Sequence, residues 1–144
     1  MDTQITLREG IEKFNRRNER YFSDRDTSDE AKEFFRCHDI AHVVFGCDTS
    51  IFGEGVVKTW TVFGTTLGFW RHISEYNEAD AFQLFRMYSW QHVAKNIFQY
   101  LVSIPKIIFR AKRMNKPWDW SDFEQYLDVN VGDIRKEFNI HPVK

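Results

Sequence analysis

The stretch Arg36-Cys37-His38-Asp39-Ile40-Ala41-His42-Val43-Val44-Phe45-Gly46, with Gly53-Glu54 beyond it, is the chain's one cluster of chemical meaning. Thr27 with Glu30 reads as a capping box just upstream, so a helix is expected to open there and run to about Phe45. Gly46 is its natural stop. On such a helix residues four apart stand one above the other, and His38 and His42 aim two imidazoles at one point. Asp39 lies about 100° round from His38 and can add an oxygen. Two nitrogens with carboxylate oxygens suit one divalent ion: zinc foremost, with iron or manganese served by the same donors. Eleven residues separate His42 from Glu54. A helix end at Gly46, a short loop and a new helix return Glu54 as a further ligand or as an acid/base group. Asp39 and Glu54 are therefore the candidate catalytic residues.

Phe34, Phe35 and Phe45 fall on the same helix face as the histidines. An apolar wall raises the cost of two unpaired imidazoles, which favours a bound ion. Most His-x-x-x-His pairs on helices bind nothing; the aspartate and the glutamate in a glycine-rich turn sharpen this one. His72 and His92 lie outside the pattern and read as ordinary surface or core residues. Cys37 points along the helix as buried filler.

Outward from this stretch the chain reads as helices. The first twenty residues form a charged helix with apolar Ile5, Leu7, Ile11 and Phe14, and Ser23 to Ser28 is a polar break. Residues 51 to 73 are rich in β-branched side chains but lack clean alternation, and Gly53, Gly55, Gly64 and Gly68 fit close helix packing; helix is expected. A long helix follows from about Glu78 to Arg113, kinked or divided at Pro105. Ser121 with Glu124 is expected to cap a short helix, and Asp133 a last one through Phe138. The fold class is all-α: residues 1–144 as a single-domain bundle of five to six helices, with a metal site near the first helix–helix turn.

Composition agrees. The chain has 144 residues, 42% hydrophobic and 28% charged, enough for one core. A net charge of −1 selects no nucleic acid. Cys37 and Cys47 form no CxxC, so neither a disulfide framework nor a cysteine zinc ribbon is available. Without a signal peptide, a clear mitochondrial presequence or an apolar run of spanning length, a cytoplasmic protein is expected. Aromatic residues make up 17% of the chain, which calls for a ring-packed core or an apolar ligand. Phe98, Tyr100, Leu101, Ile107, Ile108 and Phe109, with Lys106, Arg110 and Arg113 among and after them, could sit on prenyl lipid or on the inner face of an anionic membrane. A core helix with a basic end near its negative dipole terminus explains the same letters and is the commoner case. Gly64 and Gly68 permit close internal packing or, less commonly, a homodimer contact.

The His-Asp doublet is also found in metal phosphohydrolases, but those need a histidine from an earlier helix, and residues 1–37 contain none. His38-Asp39-x-x-His42, eleven residues and Glu54 closely resembles the HDxxH(x11)E signature of the coenzyme Q (ubiquinone) biosynthesis protein 4 family. Arg36-Cys37, Gly46, Gly53 and Val57-Lys58 agree with it as well. The resemblance implies an all-helical fold and a zinc site formed by His38, Asp39, His42 and Glu54. It further implies action on the head group of a polyprenylated quinone precursor, by oxidative decarboxylation, or a scaffold that grips prenyl lipid and organises other quinone-biosynthesis enzymes.

Overall fold

The computed structural model describes residues 3–22, 29–67 and 89–143. These form five α-helices: α1 (Leu7–Phe22), α2 (Asp29–Phe45), α3 (Ile51–Gly64), α4 (Trp90–Lys112) and α5 (Val131–Phe138), with a 3-10 turn at Glu124–Tyr126 between the last two. Among the described residues there is no strand, only isolated bridges at Thr6–Asn130 and Thr65–Trp118. The expected Thr27 cap, residues 78–88 of the expected long helix and His72 lie outside the described residues; the helix is not continuous from Glu78 as expected, because extended Ser89 caps a helix that opens at Trp90.

Helix α1 begins with a reciprocal box that the sequence reading passed over. Thr6 N–H donates to Glu9 Oε2 at 2.9 Å, and Glu9 N–H donates to Thr6 Oγ1 at 3.3 Å. Two further amides of its first turn, on Leu7 and Arg8, donate to the carbonyls of Val129 and Leu127. The start of α1 is thereby tied to the approach to α5. Buried Leu7, Gly10, Phe14 and Asn18 recur at helical spacing and face α2. At Gly10 a methyl group would come within 2.8 Å of Val43, so this crossing needs glycine.

Helix α3 answers the β-branched ambiguity through its hydroxyls. Thr59, Thr61 and Thr65 each donate to the carbonyl four residues earlier, which lets a threonine be buried in a helix without an orphaned oxygen. The helix ends at Gly64, not near residue 73. Thr65 is extended, Trp118 N–H donates to the Gly64 carbonyl at 2.8 Å, and Thr66 N–H donates to the Trp118 carbonyl at 3.0 Å. The stop comes from a strand-like contact with a segment far along the chain. Gly64 serves internal packing, against Met114 and Trp60.

Of the kink or division expected at Pro105, the division does not occur: helix α4 continues through the proline. The proline is exposed, and so is Leu101, whose carbonyl loses its helical donor there. Water can replace that bond on the outer side. The short helix expected after Ser121 is only a 3-10 turn, and Asp119 rather than Ser121 accepts the amides, from Ser121 and Asp122 at 3.3 Å each. Asp133 likewise does not cap α5. Asn130 holds the cap position, and Asp133 sits in the first turn paired with Lys136 at 2.9 Å.

One core joins these elements, with Phe14, Phe34, Phe45, Trp60, Ile107, Trp118, Phe123 and Phe138 all buried in it. Phe45 and Trp60 stack at 4.8 Å between ring centroids, locking α2 to α3. The α3–α4 contact is the most extensive of the helix pairs. It rests on Gly55, where a methyl group would stand 2.7 Å from the Tyr100 ring, and on a 3.0 Å hydrogen bond between Tyr100 and Thr59 hydroxyls. Gly55→Ala should therefore destabilise by about 1–3 kcal/mol through overpacking, and Tyr100→Phe by only about 1 kcal/mol through the lost hydrogen bond. Urea unfolding of the two variants checks that order, and equal losses would mean that the ring does not press on the glycine.

Candidate metal centre

The turn between α2 and α3 fixes the site. Gly46 adopts φ +71°, the left-handed region, and Cys47 N–H donates back to the His42 carbonyl at 2.9 Å. This is the six-to-one bond of a Schellman stop. Asp48 then accepts from both the amide and the hydroxyl of Ser50, and Ser50 Oγ, the cap of α3, accepts from Gly53 N–H at 3.0 Å. Gly53 lies against the Asp48 carbonyl and carboxylate so closely that a methyl group there would overlap both oxygens. The glycine before Glu54 is thus a steric necessity. It places Glu54 in the first turn of α3, where the helix dipole favours a carboxylate.

Glu54 reaches back to both histidines. Its Oε1 is 3.2 Å from His42 Nε2 and its Oε2 is 3.8 Å from His38 Nε2. One donor atom from each of the three residues lies within 4.8 Å of the others. Atoms sharing a zinc stand about 3.4 Å apart in tetrahedral geometry, so small side-chain rotations would close the set. Asp39 is half-buried on α2 and does not belong to this close group. The structure brings together three of the four residues that the sequence picks out.

Rings wall the site. Phe14 of α1 stacks on His42 with centroids 5.0 Å apart, and Phe34 lies over His38 at 6.5 Å. Phe45, expected in this wall, turns instead to Trp60. Phe14 was legible as an apolar α1 residue, but nothing local pointed it at His42. The two imidazoles meet edge to face at 4.7 Å.

His42 is 1% exposed, and among the described residues neither of its ring nitrogens has a hydrogen-bond partner. At 3.2 Å from Glu54 its Nε2 is close enough for attraction but lacks hydrogen-bond geometry. Leaving a buried polar atom unsatisfied costs about 1–3 kcal/mol. A cation accepting the nitrogen lone pair removes that cost, so the donor set and its burial fit a divalent ion. Burial pushes the Glu54 carboxyl up, but His42, His38 and Lys58 outweigh it and hold the group below the ordinary glutamate value. An anionic carboxylate is the form a metal needs.

Cys37, Cys47 and His92 do not join the group. Burial, with Glu33 beside it, pushes the Cys37 thiol up to about 12, and its Sγ lies 3.7 Å from Glu33 Oε1. Burial raises the Cys47 thiol as well. His92 is exposed on α4.

The lipid-contact residues divide. Phe98, Leu101 and Phe109 are exposed, together with Trp90 and Val102, which the sequence reading omitted. Ile107 is instead fully buried in the core, and Tyr100 packs against α3, so neither lies on that outer surface. Ile108 is half-buried and Lys106 exposed. Arg110 donates to the carbonyls of His141 and Pro142, and Arg113 lies over the Phe109 ring at 5.3 Å. No described helix is long and apolar enough to cross a membrane.

An all-helical fold in which two imidazoles one turn apart meet a glutamate from the next helix defines a class: helical proteins with a buried histidine–carboxylate group able to hold a metal. More narrowly, the chain belongs to the coenzyme Q (ubiquinone) biosynthesis protein Coq4 family, whose model matches residues 4–144. Membership implies a role in ubiquinone biosynthesis. Neither a curated protein nor a solved structure matches the chain.

The pH dependence of the metal-free protein follows from Glu54. An unfolded glutamate titrates near ~4.3 and the folded one lower, so between these values the unfolded chain binds more protons. The stability this carboxylate contributes is present above the unfolded value and lost as pH falls through the folded one. In urea titrations the gap between the wild type and Glu54→Gln should narrow as pH drops from about 5 to about 3. A gap constant across that range would mean that the carboxylate is not held by its neighbours.

Proposed function

We propose that the protein binds one divalent ion through His38, His42 and Glu54 and acts on the aromatic head group of a polyprenylated quinone precursor. The observation that carries this reading is the buried His42, whose two ring nitrogens find no hydrogen-bond partner among the described residues and stand beside a carboxylate held anionic. Zinc suits a site of two histidines and one glutamate with a position left open. Iron in its ferrous state suits the same three donors, and a redox-active ion would serve an oxidative step better. When bound, the ion supplies a positive charge able to polarise a carboxylate or phenolate of the substrate, as oxidative decarboxylation with dioxygen as oxidant would require. Glu54 fixes the two imidazoles in place. Phe14 and Phe34 exclude water from behind them, which strengthens every charge interaction within. Asp39, close by on α2, is the candidate outer acid or base.

A second reading keeps the ion structural and gives the chemistry to partner enzymes. The outer face of α4 favours it: Trp90 is 81% exposed, Phe98 68% and Val102 64%. Apolar surface of that kind, flanked by Lys106 and Arg113, suits a prenyl chain or an anionic membrane surface.

Elemental analysis of purified protein tests the common part. About one ion per chain is expected in the wild type and none in His42→Ala; no metal in the wild type after metal-supplemented expression would overturn both readings. Glu54→Gln then separates them. In an enzyme it abolishes turnover of a prenylated hydroxybenzoate and lowers thermal stability no further than it does in the metal-free protein. In a scaffold it lowers the melting temperature together with metal affinity.

A further inference from the structure

The Arg135 guanidinium reaches the helix that carries both histidines. From α5 its Nε donates to the Val44 carbonyl and its Nη2 to the Val43 carbonyl, each at 2.8 Å. These are consecutive carbonyls in the last turn of α2, where a helix has no amides left to satisfy them. The preceding carbonyl, that of His42, is taken by Cys47 N–H. All three carbonyls from His42 to Val44 are therefore pinned. Gly46 contributes twice, since a side chain there would strain the left-handed backbone and would stand 2.9 Å from Arg135 Nη2. Burial draws the guanidinium below its ordinary value, yet an arginine remains charged under any working condition.

The charge lands where α2 lacks one. The only basic residue in the last turn of α2 is His42, which must be neutral to bind an ion. Arg135 sets a permanent cation against the negative end of the α2 dipole. His42 and Glu54 face each other across the turn that begins at these carbonyls, so any swing of that turn opens the pair. We infer that Arg135 is a positioning residue for the metal centre: it holds the last turn of α2 so that His42 meets Glu54 with no rearrangement when an ion binds. This rests on the reading of His38, His42 and Glu54 as ligands.

Lysine in its place would keep the charge but not the planar fork that meets two carbonyls at once. Phe138, on the same helix, supplies a control: it is buried against Trp118 and Tyr126 and makes none of these bonds to α2. Cobalt(II) titration of the folded apoproteins, followed by ligand-field absorption, is the measurement, with thermal melting of each apoprotein alongside. Arg135→Gln should weaken cobalt affinity about 10- to 100-fold, the range for partners behind a ligand, and alter the absorption bands. Arg135→Lys should recover part of the affinity. Phe138→Leu should lower the melting temperature and leave cobalt affinity unchanged. If wild type binds cobalt and Arg135→Gln binds it equally well with the same spectrum, the positioning role is overturned and the metal reading stands. If Phe138→Leu weakens binding as much as Arg135→Gln, the effect is general loosening and the role is again overturned. If wild type itself binds no cobalt or zinc, the metal reading fails and takes this one with it.

Discussion

Two ring nitrogens of His42, buried behind Phe14 and given no hydrogen-bond partner among the described residues, set the terms for everything around them. An imidazole taken from water into such a place is unfavourable unless something accepts its lone pair or its proton. The neighbourhood offers one anion, Glu54, and brings it up without completing a hydrogen bond. Each surrounding element follows from holding that arrangement. Helix α1 supplies the ring over His42, α2 supplies the register of two histidines, and α3 begins where Glu54 is needed. The α2–α3 turn sets the distance between them.

Desolvation and pairing work against each other at Glu54, and the direction of the balance matters. Burial alone would favour a neutral carboxyl, which donates a hydrogen bond and repels no one. The two imidazoles and Lys58 outweigh that effect and keep the group anionic. A buried carboxylate beside two imidazoles offers a dication three donor atoms at once. Its hold on an ion depends on geometry more than on charge count, because Coulomb energy changes steeply with distance at such short range. Hence the tight turn, with Gly46 forced by φ, Gly53 forced by Asp48 and Gly55 forced by Tyr100.

Much of this was legible because it is local. The four-residue spacing of His38 and His42, the stop at Gly46 and the return of Glu54 after a short loop are all properties of neighbouring residues. So is the helical character of α3, although its length was not. What ends α3 is Trp118, which the chain meets more than fifty residues later. Arg135 was invisible for the same reason: a lone arginine in a short amphipathic helix carries no sign of the carbonyls it will meet. Phe14 could be placed in the core but not over a particular ring. Asp39 is the converse case. Its letter belongs to the motif, yet a 100° step around the helix leaves it outside the close group that His38, His42 and Glu54 make. The capping box Thr6–Glu9 was present in the letters and simply lost to the more conspicuous apolar pattern beside it.

The abundance of rings has two separate causes. One set fills the core: Phe14, Phe34, Phe45, Trp60, Trp118, Phe123 and Phe138. A core of that kind would account for the composition by itself if α4 were an ordinary amphipathic helix, but it is not. Its buried positions, Val93, Asn96, Ile107 and Ala111, with half-buried Tyr100, form one stripe against α3. Trp90, Ile97, Phe98, Leu101, Val102 and Phe109 form a second stripe, exposed, centred roughly 130° away at helical spacing. Burying a single side chain of this size is worth about 1.5–3 kcal/mol, so the exposed stripe forgoes a substantial driving force that folding could have used. Helices that only complete a core carry polar residues at such positions, as α1 and α5 do. That second stripe lies on the helix whose other side braces the start of α3 and, with it, Glu54.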